Sequence, residues 1–127
     1  MDLKIGSQNS NFTLKKKQKI HGFDLTFYKF EHNVHSTPHY HLEANDINNT
    51  FSLTFKTPAL DNSGSPYILE KLTLCGSNKY PVRDPFTNML QRSHSTAMNA
   101  LTGPDYTSYP FSASNEVDFY NLMDVYM

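Results

Sequence analysis

The sequence predicts an α+β fold, an antiparallel sheet with helices on one face. Three observations carry this: short runs of alternating apolar residues, two segments that begin at proline and continue at helical spacing, and an apolar helical face near the end of the chain. Phe23, Leu25 and Phe27 alternate with Asp24, Thr26 and Tyr28, the period of a half-buried strand. A second strand is expected over His39 to Glu43. Asp46, Asn48 and Asn49 mark a turn, after which Phe51, Leu53 and Phe55 alternate with Ser52, Thr54 and Lys56. These three strands are expected to share one apolar face. Met1 to Lys19 is polar and lacks either period apart from Phe12 and Leu14, so residues 1–20 are expected to form a flexible arm and 21–127 the folded domain.

Pro58 to Pro66 encloses Asn62, Ser63 and Gly64 and reads as a loop. Ser65 as a cap, Pro66 in the first turn and Gly76 as the stop define a helix from about Pro66 to Cys75. Asp84 and Pro85 repeat the start signal for a helix carrying Phe86, Met89 and Leu90. Ser95 to Thr102 and Tyr106 to Phe111 are extended segments separated by Gly103 and Pro104. Asn115 opens a last helix in which Phe119, Leu122, Met123, Tyr126 and Met127 fall on one side. With no stop signal after it, the pattern is that of a piece of something longer.

At 127 residues the chain can bury one core. Lys+Arg of 11 against Asp+Glu of 12 leaves a formal net charge of -1, which argues against nucleic acid or an anionic membrane as partners. No run reaches the roughly 18 apolar residues of a membrane span, and the start shows no apolar signal stretch. The expectation is an intracellular, cytoplasmic chain. Lys15, Lys16, Lys17 and Lys19 form a basic cluster, but without arginine or an amphipathic period it does not read as a targeting segment. The lone Cys75 permits no internal disulfide and reads as a free thiol.

His32, His35, His39 and His41 are the one concentration of possible metal ligands, with His39 and His41 on one strand face; a histidine-rich surface hairpin is the commoner origin of such a run. His21 and His94 have no identifiable partner. No Gly-x-Ser-x-Gly elbow is present, and Cys75 is not supported as a nucleophile.

More specific is the stretch from Pro66 through Tyr67, Ile68, Leu69, Glu70 and Lys71 to Cys75, Gly76 and Ser77, followed by Lys79-Tyr80-Pro81-Val82-Arg83-Asp84-Pro85-Phe86. Together with Asn49 to Pro58, Met98-Asn99-Ala100-Leu101-Thr102, Asp105-Tyr106-Thr107 and Asn115 to Leu122, it resembles the signature region of the insulinase (pitrilysin-like) zinc metallopeptidases, in the presequence protease and falcilysin branch. The resemblance covers roughly His21 to Met127 and implies the first part of that family's αβ domain. In the family the first helix carries His-x-x-Glu-His. Residues four apart share a helical face, so two imidazoles grip one zinc ion while the glutamate acts on its bound water. The family's third protein ligand is a glutamate on a later helix, beyond Met127.

Here the two histidine positions hold Tyr67 and Lys71, with Glu70 retained as a vestigial general base. A lysine with a reference pKa of about 10.4 is an ammonium without a free lone pair, and a tyrosine with a pKa of about 10 offers only a neutral phenol. No zinc or other cofactor is therefore expected in this chain, and Lys71 is expected to neutralise Glu70 in place of the ion. The resemblance further implies that Asn99 and Ala100 lie on an edge strand that pairs with an extended peptide substrate or ligand. The function expected is that of a non-catalytic, peptide-binding or scaffolding relative, joined to the remainder of a parent peptidase and self-associating when alone. The alternative is part of an active zinc metalloendopeptidase whose metal site is supplied elsewhere in the parent chain or by a partner.

Overall fold

The computed structural model describes residues 3–127 and divides the chain into two compact units that meet between Asp46 and Ile47. The first is an antiparallel sheet in the order β1 (Gln8–Asn9), β2 (Phe12–Ile20), β3 (Leu25–His32) and β4 (Pro38–Glu43). Within the segment expected to be a flexible arm, residues 12–20 thus form a full strand. Main-chain pairing along β3, from Phe12 opposite His32 to Ile20 opposite Leu25, supplies what the lysine-rich sequence cannot signal by alternation. Phe23 is not part of a strand; it is 80% exposed in the turn that Asp24, with a φ of 46°, closes. Leu14 and Tyr28 are the buried side chains of this sheet, and the Tyr28 hydroxyl donates to Glu43 Oε2 at 2.7 Å.

The second unit holds β5 (Asn49–Lys56), α1 (Ser65–Thr73), α2 (Pro85–Arg92), β6 (Ser95–Met98), β7 (Leu101–Thr102), β8 (Tyr106–Ala113) and α3 (Glu116–Tyr126). Its sheet runs β5-β8-β6, with β7 also paired to β8, all antiparallel. The expectation that Phe51 to Phe55 would share a sheet with the two preceding strands is therefore corrected. Strand β5 pairs along its whole length with β8, some 50 to 60 residues later, and alternation specifies which face a strand buries but not which strand it joins.

Strand β8 organises this unit. On one face Phe111 and Ala113 pack with Leu122 of α3, joined by Phe51, Met89, Met98, Phe119, Met123 and Tyr126. The other face is hydroxylic: Thr50 and Thr96 both donate to Ser112, while Ser52 and Thr54 meet Ser108. Helices α2 and α3 contribute Met89, Phe119, Leu122, Met123 and Tyr126 to the Phe111 face, and α1 meets β7, whose Thr102 stands opposite Thr107 on that same face by alternation. The architecture is α+β, with the three helices of this unit on one side of its sheet.

Helix starts follow the local chemistry. Asp84 caps α2 by accepting from the Thr87 amide at 3.1 Å, and Asn115 caps α3 by accepting from Val117 and Asp118. Helix α1 is entered instead through Gly64 at a φ of 72°, with Pro66 in its first turn and Ser65 already helical. Leu122 is fully buried, so Leu122→Ala is expected to lower unfolding stability by about 2–5 kcal/mol, read as a shift in the urea midpoint at constant slope.

Candidate functional site

Helix α1 is inverted with respect to an amphipathic helix. Its buried residue is the charged Glu70, 1% exposed, whereas Ile68, Leu69 and Leu72 are each more than half exposed. A carboxylate out of water must be compensated by donors or charge. Thr102 of β7 donates its hydroxyl to Glu70 Oε2, and Lys71 Nζ stands 2.9 Å from Oε1. That ion pair lies off the hydrogen-bonding direction, so Oε1 receives opposite charge but no aligned donor from the described residues. Burial pushes the Glu70 carboxyl up; the Thr102 hydroxyl and the Lys71 ammonium outweigh it and hold the group below the usual carboxylate range. The Glu70 carboxylate raises the Lys71 ammonium in turn, against the smaller effect of desolvation. Tyr67, one turn before Lys71, places its ring centroid 5.2 Å from Nζ, within cation–π reach.

Beside this cluster is a groove of about 560 Å³ lined by Lys71, by the apolar Leu74, Cys75 and Phe86, by the polar Arg83, Asp84 and Thr87, and by Asn99 and Ala100. The structure thus brings Lys71 together with the two residues expected to contact a peptide. Glu70 itself does not line the groove. The loop that carries the groove from α1 to α2 is fastened to α3 through Asp124, which accepts from both Lys79 Nζ and the Tyr80 hydroxyl.

Asn99 and Ala100 sit between β6 and β7, where the edge strand is interrupted. The cause is Pro110 in the central strand. Asn99 donates its amide to the Pro110 carbonyl at 3.0 Å, and in an antiparallel pair the partner would return a second bond that proline cannot make. The Asn99 carbonyl accepts instead from the Tyr126 hydroxyl at 3.4 Å, and burial pushes that phenol far above its ordinary value. The next amide, Ala100, points away from β8 by alternation and is taken by the Asn99 side chain at 2.9 Å. A peptide adding to this edge would displace that local bond.

The histidines do not assemble. His32 uses Nδ1 to accept from the Val34 and His35 amides and stacks on the His35 ring, while His39 packs against Phe30 and Phe12, and His41 against Tyr28. Among the described residues no three His, Cys, Asp or Glu side chains are grouped to hold a metal ion. His94 proves to have a partner, Asp118, which accepts from both its backbone amide and Nδ1. Cys75 donates to the Lys71 carbonyl at 3.2 Å. Thr102 is the participant that sequence spacing could not identify: it lies 32 residues from Glu70, and only the register of β7 on β8 brings it there.

The donor set at Tyr67, Glu70 and Lys71 does not fit a zinc ion. These residues present a phenol, an ammonium and one carboxylate, and that carboxylate already meets a hydroxyl and a cation.

No protein-family model matches the chain. It is similar to the mitochondrial presequence protease of Drosophila melanogaster, 51% identical over 122 residues, which is 96% of this chain and 12% of the relative. The same protein of Debaryomyces hansenii is 52% identical over 124 residues, 97% of this chain and 12% of the relative. That of Mus musculus is 45% identical over all 127 residues, again 12% of the relative. The chain therefore spans about an eighth of the length of the curated relatives it matches. Their names point to the mitochondrion and overturn the expectation of a cytoplasmic chain, which rested on seeing no membrane-length apolar run, no apolar signal stretch and no targeting pattern in the lysine cluster. Those lysines lie on strand β2.

A carboxyl held lower in the folded than in the unfolded state, where it titrates near about 4.3, contributes stability that is complete above that pH and lost as the pH falls through the folded value. Thr102→Val strips Oε2 of its donor and is expected to cost about 1–3 kcal/mol at pH 7. The cost should shrink in urea titrations below the folded value, where the carboxyl is neutral; an equal loss at both pH values would show that Glu70 is not ionised in the fold.

Proposed function

Because this chain belongs to the insulinase-type metallopeptidase family, we propose that it is that family's zinc-helix segment in a form that binds peptides without cleaving them. The observation that carries the reading is the Lys71 ammonium 2.9 Å from the Glu70 carboxylate, at the position where the family's second imidazole would stand. Glu70 retained in this setting is a poor general base. Its proton affinity is lowered, and the negative charge that would draw a proton is already compensated by the Lys71 ammonium.

Binding has separate support. The groove joins an apolar lining at Leu74 and Phe86 to the main chain at Asn99 and Ala100, and none of these depends on a metal. An extended peptide would gain main-chain bonds along the interrupted edge and bury one side chain in the groove, at the expense of the Asn99 to Ala100 bond. The exposed Ile68, Leu69 and Leu72 support two further parts of the reading: contact with the remainder of a parent peptidase, and self-association of the chain by itself. The relatives' names support a mitochondrial setting.

A second reading is favoured by the relatives' length. They are about eight times longer than the matched region, which leaves ample chain for an active metal centre elsewhere in a parent protein. Equilibrium dialysis tests the first reading at this helix. The chain is expected to retain no stoichiometric zinc at micromolar concentrations, and Tyr67→His/Lys71→His is expected to raise zinc affinity by roughly 10–100-fold, the scale on which single changes around a metal act. One equivalent of zinc held by the unaltered chain, and lost in Glu70→Gln, would contradict the non-catalytic reading.

A further inference from the structure

A carboxylate and an aromatic face converging on one point is the arrangement by which proteins hold alkylammonium groups. Glu70 and Tyr67 make such an arrangement, and the group at its centre is the ammonium of the same helix. We propose that Glu70, Thr102 and Tyr67 form a cation cradle whose resident occupant is Lys71, and that a small primary alkylammonium ion takes its place when that side chain is removed. The inference rests on the reading that no metal ion is held at these positions.

Each wall has a distinct part. Thr102 donates to Oε2, while Oε1 is the oxygen that stands 2.9 Å from the cation. Oε1 has no aligned donor among the described residues and is buried, which leaves it dependent on whatever positive charge lies against it. The Tyr67 ring supplies a weak, non-directional attraction suited to an ammonium and of little use to a divalent ion, which needs several further oxygen or nitrogen ligands. A single carboxylate, one hydroxyl and a phenol ring are too few to provide them.

Access and closure also follow from the geometry. The Lys71 side chain is 53% exposed and forms a wall of the groove, so the place vacated by its ammonium opens to solvent on that side. With the lysine present, the tether keeps the local ammonium concentration far above that of any free amine, and the cradle is closed to competitors. Removal of the side chain beyond Cβ leaves the carboxylate, the hydroxyl and the ring in place, with an uncompensated charge between them.

The test uses the whole chain carrying Lys71→Ala, with methylammonium chloride as probe and sodium chloride at matched ionic strength as control. The variant is expected to melt several degrees below the unaltered protein and to regain at least half of that loss in a saturable response to methylammonium. Sodium chloride should not reproduce the recovery, the unaltered protein should not respond, and Glu70→Gln/Lys71→Ala should lose the response. Should Lys71→Ala not fold, the readout becomes the yield of folded protein on refolding in methylammonium against sodium chloride, for it and for Lys71→Met. An absent response, one equal to that with sodium chloride, or one that persists in the double variant would overturn the cradle. Zinc retained by the unaltered chain would instead overturn the non-catalytic reading on which it rests.

Discussion

A carboxylate with 1% exposure is the constraint around which the second unit of this protein is arranged. Left bare, such a charge would cost several kcal/mol and would be protonated or expelled from the fold. Two compensators arrive, both from later in the sequence but at very different separations. Thr102 comes from the edge strand and Lys71 from the next position on the same helix. The first ties α1 to β7; the second supplies charge. Because the remaining large side chains of α1 are exposed, the polar contact rather than apolar burial carries much of the helix's attachment. Replacing a threonine or a lysine would therefore disturb the position of a whole helix, a consequence that their chemical types alone would not suggest.

The groove inherits its geometry from a second constraint, the proline in the central strand. Pro110 keeps β5 in register on one side, where its missing amide is not required, and interrupts the edge on the other. Asn99 turns that interruption into a defined feature: its amide still reaches Pro110, its carbonyl is met by Tyr126, and its side chain caps Ala100. Asp124 meanwhile fixes the loop between α1 and α2 from below. Asn99 is thus held by both β8 and α3.

Much of this was legible in the sequence wherever the signal is local. Proline and asparagine starts marked α2 and α3 and alternation marked the buried face of β5, whereas α1, expected to run to Cys75 and stop at Gly76, already ends at Thr73. The spacing of Tyr67, Glu70 and Lys71 on one helical face was readable in the same way, since three- and four-residue separations are neighbours on any helix. What escaped depends on pairing between distant segments. Strand β2 has lysines where alternation would put apolar residues, and it exists because β3 offers it a ladder. The assignment of β5 to β8 and the arrival of Thr102 at Glu70 are both products of sheet register, which the local pattern does not encode. His94 with Asp118 and Asn99 with Tyr126 escaped for the same reason.

The functional account reduces to one energetic statement, that the ammonium of Lys71 stands in for a metal ion as the counter-charge of Glu70. A double-mutant cycle with Glu70→Gln, Lys71→Met and the combined variant, followed by urea unfolding at pH 7, measures that coupling directly. The account predicts an interaction energy of about 1–3 kcal/mol, above the ~0.2–1 kcal/mol usual for exposed pairs, because one partner is buried. Additivity of the two substitutions to within about 0.3 kcal/mol would contradict it.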